Sequence, residues 1–274
     1  MMKFQTRVVF HERMRCFYDT ERKCRMKGIV ELLGDTFYPK YKYLKSKKSA
    51  DDKSPPPTTE KQKQQKGLPV KKKFPIKKWA GRRRGSRVDK EIAYIINGGF
   101  IANPHEYTER ALNALQACNL RPVKAQVVVY HAEAKLASAI DIFCQDVDGA
   151  YAVVELKCSS DSKYTHSCFP MKGVMGGHCD SLLEQHALQA AVTTRLFENT
   201  YGSAVKLRTY VLRVNDEGAH VTRIRQLDEY REAFDVLIKK CLKQIERKAK
   251  ALSNQKDKII KPPRPSSLGQ KSSR

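Results

Sequence analysis

Two acids and a lysine have the types and spacing for metal-assisted chemistry. Asp141 closes the run Ala137-Ser138-Ala139-Ile140-Asp141, and Glu155 and Lys157 stand in Val153-Val154-Glu155-Leu156-Lys157. Alternate residues of a strand share a face, so Glu155 and Lys157 point one way and Leu156 the other. Between the runs lies Asp146-Val147-Asp148-Gly149, a hairpin signal. A turn centred there sets Asp141 beside Glu155. Two close carboxylates in an apolar setting resist ionising together unless a cation is present. A hard divalent ion, Mg²⁺ or Mn²⁺, meets that need with oxygen ligands. Lys157 could then orient or activate a water and balance negative charge in a phosphorane-like transition state. The plainer alternative is a solvent-facing acid pair with Lys157 as counter-ion.

The surrounding pattern predicts the elements that hold these residues. Val88, Ile92, Ile95 and Ile96 recur at helical spacing over 86–96, closed by Asn97-Gly98-Gly99. A second helix fits Glu106–Ala117, with its stop near Asn119. The period then changes to that of strands at 125–130, 136–144 and 150–157, with a turn at 131–135. Glu133 in that turn is a candidate second-metal ligand, and a surface acid is its plainer reading. A helix follows over 181–197, then strands at 205–214 and 219–224 around Asn215-Asp216-Glu217-Gly218, then a helix over 227–242. The order α-α-β-β-β-α-β-β-α predicts an α/β fold, a central mixed β-sheet flanked by helices. The glycines and methionines between Met171 and Gly177 predict a mobile loop passing near substrate.

The ordered set of motifs resembles the PD-(D/E)XK nuclease superfamily, particularly its phage lambda-exonuclease-like and RecB-like branch. Asp141, then Glu155-Leu156-Lys157-Cys158, is similar to that branch's D…E-L-K-C core. Arg84-Gly85-Ser86-Arg87-Val88-Asp89 resembles its R-G-x-x-x-E helix start, with Asp in place of Glu. Glu184-Gln185-His186-Ala187-Leu188-Gln189 resembles its glutamine-bearing helix. The resemblance covers roughly residues 80–225 and implies a restriction-endonuclease-like core. It implies Asp141, Glu155 and the Leu156 carbonyl as ligands of Mg²⁺ or Mn²⁺, Lys157 as the catalytic lysine and Gln189 over the site, with Gln185 as a substitute. It assigns Arg84 to a terminal phosphate and Asp89 to the helix carboxylate. The activity implied is metal-dependent hydrolysis of DNA, exonuclease rather than endonuclease. The setting implied is DNA replication, recombination or repair, that of a virus or phage included.

Charge is distributed unevenly over the 274 residues, whose formal net charge is +24. Residues 40–84 carry 17 Lys/Arg against 3 Asp/Glu, and residues 239–274 carry 12 against 2, which leaves the remainder neutral. A near-neutral body with two basic arms favours a polyanion such as DNA as partner. It fits equally a basic DNA-binding or packaging protein that does not cut. The predicted organisation is an N-terminal segment at 1–44, partly ordered, a basic flexible linker at 45–78, the core at 79–242 and a basic tail at 243–274. No apolar run approaches the length of a membrane span, and no secretory hydrophobic region opens the chain. Clustered Lys71–Lys73, Lys77-Lys78 and Arg82–Arg84 read as an import signal, so the nucleus of a eukaryotic host is expected, with cytoplasm or nucleoid as alternatives. The eight cysteines include no C-x-x-C. The irregular spacing of Cys158, His166, Cys168, His178 and Cys179 favours ordinary thiols over a zinc site.

Overall fold

The computed structural model describes residues 4–39 apart from 5, 13 and 15, residues 76–158, 169–202 and 206–260. The linker's residues 45–75 and the end of the basic tail lie outside these. Three short strands open the chain: β1 (Val8–His11), β2 (Cys16–Asp19) and β3 (Cys24–Gly28), followed by helix α1 (Ile29–Phe37). Helices α2 (Ile76–Ile96) and α3 (Glu106–Ala117) precede strands β4 (Arg121–His131), β5 (Leu136–Gln145) and β6 (Tyr151–Cys158). Helix α4 (Leu182–Tyr201), strands β7 (Leu207–Val214) and β8 (Ala219–Ile224) and helix α5 (Asp228–Ile260) complete the fold.

The fold is α/β, with a mixed, open central sheet of eight strands flanked by helices on both faces. On one face, α1, α4 and α5 bury Leu33, Leu188, Phe197 and Leu237 against Val129, Phe143 and Val153. On the other, α2 and α3 bury Ile92, Tyr107 and Leu115 against Ile142, Val154 and Leu212. A strand turns successive side chains to opposite faces, so Val153 and Val154 of β6 enter different cores. Leu156 joins the α2/α3 side, as the alternation requires.

Local chemistry sets the element ends. Ser181 caps α4 by accepting the Glu184 N–H at 3.1 Å, an N-cap that fills an orphan donor of the first turn. Gly98 (φ 98°) and Asn119 (φ 55°) stop α2 and α3 in the left-handed conformation that glycine and asparagine tolerate best.

The N-terminal segment, expected to be partly ordered, adds strands to the central sheet, since β3 runs parallel to β5 through Lys27↔Leu136 and Gly28↔Ala137. Two other expectations are corrected. Helix α2 begins at Ile76 and α5 runs on to Ile260, so Arg84 lies inside a helix and not at its start. Around Met171, the expected loop is instead tied down. Met171 and Met175 are buried in the core, and Pro170 bridges Cys179. Flexible thioethers fill irregular gaps, which here outweighs the mobility that the glycines suggest. The described cysteines are free thiols, and no helix among the described residues is long and apolar enough to cross a membrane.

Candidate active site

The sheet opens where the acids stand. One edge of β5 is occupied along its length by β4. The other edge is shared: β3 pairs with Leu136 and Ala137, and β6 pairs with Ile142–Gln145. The register Ile142↔Val154 stops one step short of Asp141 and Glu155, so the two strands part at the carboxylates. There the Leu156 N–H, which a continuing ladder would have engaged, donates to Asp141 Oδ2 at 2.8 Å. A buried N–H must find an acceptor, and here the acceptor is a site side chain.

Glu155 is 3% exposed. Its Oε1 accepts from Lys157 Nζ and from Gln189 Nε2, which α4 delivers from above the sheet. Asp89 reaches the same place from α2 and lines one cleft with Asp141, Glu155, Leu156 and Lys157. That cleft has a volume of about 710 Å³. Burial, with Glu155 and Asp89 adding repulsion, pushes the Asp141 carboxyl well above the usual range, against the opposing pull of Lys157 and the Leu156 N–H. Asp89 is raised by burial and by Glu155. Three carboxylates thus gather around Lys157, with Lys90 acting on Asp89 as well. Asp141, Glu155 and the Leu156 carbonyl are hard oxygen donors, the type that suits Mg²⁺ or Mn²⁺, and a cation would relieve the repulsion that raises Asp141. As they stand, no three His, Cys, Asp or Glu side chains among the described residues form a group that could hold a metal ion.

Two neighbours are chemically quiet. Burial first, then Asp89, pushes the Cys158 thiol up to about 11, so it is no nucleophile at neutral pH. Burial and Lys157 push His186 down to about 3, which keeps the imidazole neutral.

Other predicted residues lie elsewhere. The Arg84 guanidinium stacks 4.7 Å from the Tyr107 ring centroid and pairs with Asp216 at 3.5 Å, on the α3 side of α2 and not along the cleft wall. Gln185 donates to Asp180 at 2.8 Å, while its carbonyl accepts from the Tyr38 hydroxyl at 3.2 Å. Glu133 is in an exposed turn, paired with Arg22 at 3.3 Å and His131 at 3.5 Å. Only the plainer reading of Glu133 fits that position.

Sequence reasoning missed Gln126. It stands between the pairs Ala125↔Ile142 and Val127↔Ile140, level with Asp141. Its φ of 56° is left-handed, unusual for a residue inside a strand. Its Nε2 donates to Asp89 Oδ1 at 2.9 Å, which fixes the third carboxylate over the pair. A lone amide within the β-branched run was the available signal. The N-terminal strands were missed too: Phe10 and Glu12 help to line the cleft, and Glu12 pairs with Lys90 at 3.6 Å. No protein-family model matches this chain, and no curated protein matches it either.

Proposed function

We propose that this chain is a Mg²⁺- or Mn²⁺-dependent nuclease that hydrolyses DNA phosphodiester bonds, on a restriction-endonuclease-like core of the PD-(D/E)XK type. The observation that carries this reading is the convergence of Asp141, Glu155 and Lys157, with Asp89 and Gln189, at the point where β5 and β6 part. Asp141, Glu155 and the Leu156 carbonyl would hold the ion. When bound, it lowers the pKa of a water and neutralises charge developing on the phosphoryl group. Lys157 positions the attacking water by hydrogen bonding and offsets the negative charge of the pentavalent arrangement. Gln189 holds the Glu155 carboxylate in place. Gln126 holds Asp89. The basic arms add affinity for the DNA backbone through counterion release, without reading sequence.

The test is digestion of linear and covalently closed circular DNA with and without Mg²⁺ or Mn²⁺, beside Glu155→Ala and Lys157→Ala. Metal-dependent cleavage lost in both variants supports the reading, and equal activity in all three proteins overturns the site assignment. Attack on linear ends alone identifies the exonuclease that the resemblance implies. Nicking of the closed circle identifies an endonuclease, a result in keeping with the engagement of Arg84 by Tyr107 and Asp216. The second reading, a basic DNA-binding or packaging protein, rests on the charge of residues 40–84 and 239–274. Tight binding without cleavage under any divalent ion would select it.

A further inference from the structure

A second depression lies between the start of the sheet and the far half of α5. Arg25 and Lys27 from β3, Lys135 from the β4–β5 turn and Lys248 from α5 surround a groove of about 390 Å³ that no acidic side chain lines among the described residues. Its floor is apolar. The core-facing stripe of α5 runs through Tyr230, Ala233, Leu237 and Cys241, all buried. The same stripe continues at Ile245 and Leu252, which line the groove, and Leu252 is 60% exposed. Lys27 Nζ donates to Gln244 Oε1 at 2.7 Å, which ties α5 to β3 and holds the groove's two walls together.

We propose that this groove docks an acidic peptide segment of a partner protein, anchored by one apolar side chain. Four cations without a carboxylate among them select an anion, and electrostatic complementarity of this kind steers a partner and fixes its register. The apolar floor separates a peptide from a nucleic-acid backbone. Phosphates are held by cations and N–H donors and gain nothing from an aliphatic floor, whereas a helix stripe left open past Cys241 gains by covering an apolar side chain. The chain's own basic segments carry the wrong charge to fill it.

The probe is a fluorescent oligo-aspartate peptide ending in phenylalanine, titrated against the full chain by anisotropy, beside the same peptide ending in serine. The phenylalanine peptide is expected to bind about tenfold more tightly, the contribution of one buried aromatic anchor. Leu252→Asp should erase that preference, and Lys248→Glu should weaken both peptides, with thermal midpoints unchanged because both side chains are exposed. Equal affinity for the two peptides, or a preference that survives Leu252→Asp, would overturn the proposal. So would an oligonucleotide weakened by Lys248→Glu while the peptides are not. Leu252, an apolar side chain outside the cleft, should leave DNA cleavage unaffected when changed to Asp, so this proposal and the nuclease reading fail separately.

Discussion

The β5–β6 hairpin carries acids at both ends, and the ends differ in how charge is met. At the turn, Asp146 Oδ1 accepts the N–H groups of Asp148 at 3.0 Å and Ala150 at 2.9 Å. Arg208 closes the account by pairing with both Asp146 and Asp148. Two acids, one guanidinium and two N–H donors make a structural cluster in which each carboxylate is paired, although the Arg208 Nε finds no acceptor. At the open end, Asp141, Glu155 and Asp89 are met by Lys157, by the longer-range pull of Lys90 on Asp89, by one main-chain N–H and by two glutamine amides. Burial raises the cost of their charge. Acids of equal type, a few residues apart, thus lock a turn in one place and line the cleft on which the proposed metal-dependent function rests in the other.

If the comparison holds, the largest effects belong to the open end. Glu155→Gln or Asp141→Asn should lower Mg²⁺-dependent cleavage on the order of a thousandfold, as for loss of a group that stabilises transition-state charge. Steady-state rates on linear duplex would measure this, and a comparable loss in Asp146→Asn would break the contrast between the ends. Lys157→Met should cost roughly a hundredfold in rate, the scale of a positioned proton-handling group. It should also tighten Mg²⁺ binding, because the carboxylates lose their competing ammonium, and calorimetry of the metal alone would read this.

Gln126→Asn separates backbone from contact. Asparagine tolerates the left-handed φ but is too short to hold Asp89. Cleavage should fall about tenfold, as for a residue that orients a site group, with the thermal midpoint unchanged. A midpoint that falls with the rate would make Gln126 only structural.

His186 gives a pH signature. Its pKa is about 3 folded against 6.5 unfolded, so between these values the unfolded chain binds more protons and stability rises with pH. The contribution is complete above pH 6.5 and is lost as pH falls toward 3. Urea unfolding of His186→Gln across that window should show a flatter profile than the parent. Smallest for cleavage is Arg208→Met, which should lower the thermal midpoint by stranding Asp146 while leaving the rate unchanged.

Much of the fold was legible because its determinants are local. Asp146-Val147-Asp148-Gly149 fixes a turn, the turn fixes the register Ile142↔Val154, and the two-residue period then puts Glu155 and Lys157 on one face. Capping by Ser181 and left-handed Gly98 and Asn119 are likewise written in a few neighbouring residues. The place of β3 beside β5 was not legible, because parallel pairing joins segments more than a hundred residues apart and leaves no mark in either. Nor was the side taken by Arg84. A helix turns about 100° per residue, so along α2 Arg84 and Asp89 stand roughly 140° apart, and Arg84 is turned to Tyr107 and Asp216 while Asp89 lines the cleft. Tyr107 and Asp216, which receive the guanidinium, belong to distant elements that no local pattern ties to Arg84. Gln126 combines a left-handed backbone inside a strand with an amide donated to Asp89, a conjunction that no local pattern marks. Sequence alone determined the residues that carry charge and the hairpin that pairs them; tertiary structure decided which further side chains reach that hairpin, since only packing fixes the faces that helices and strands present to one another.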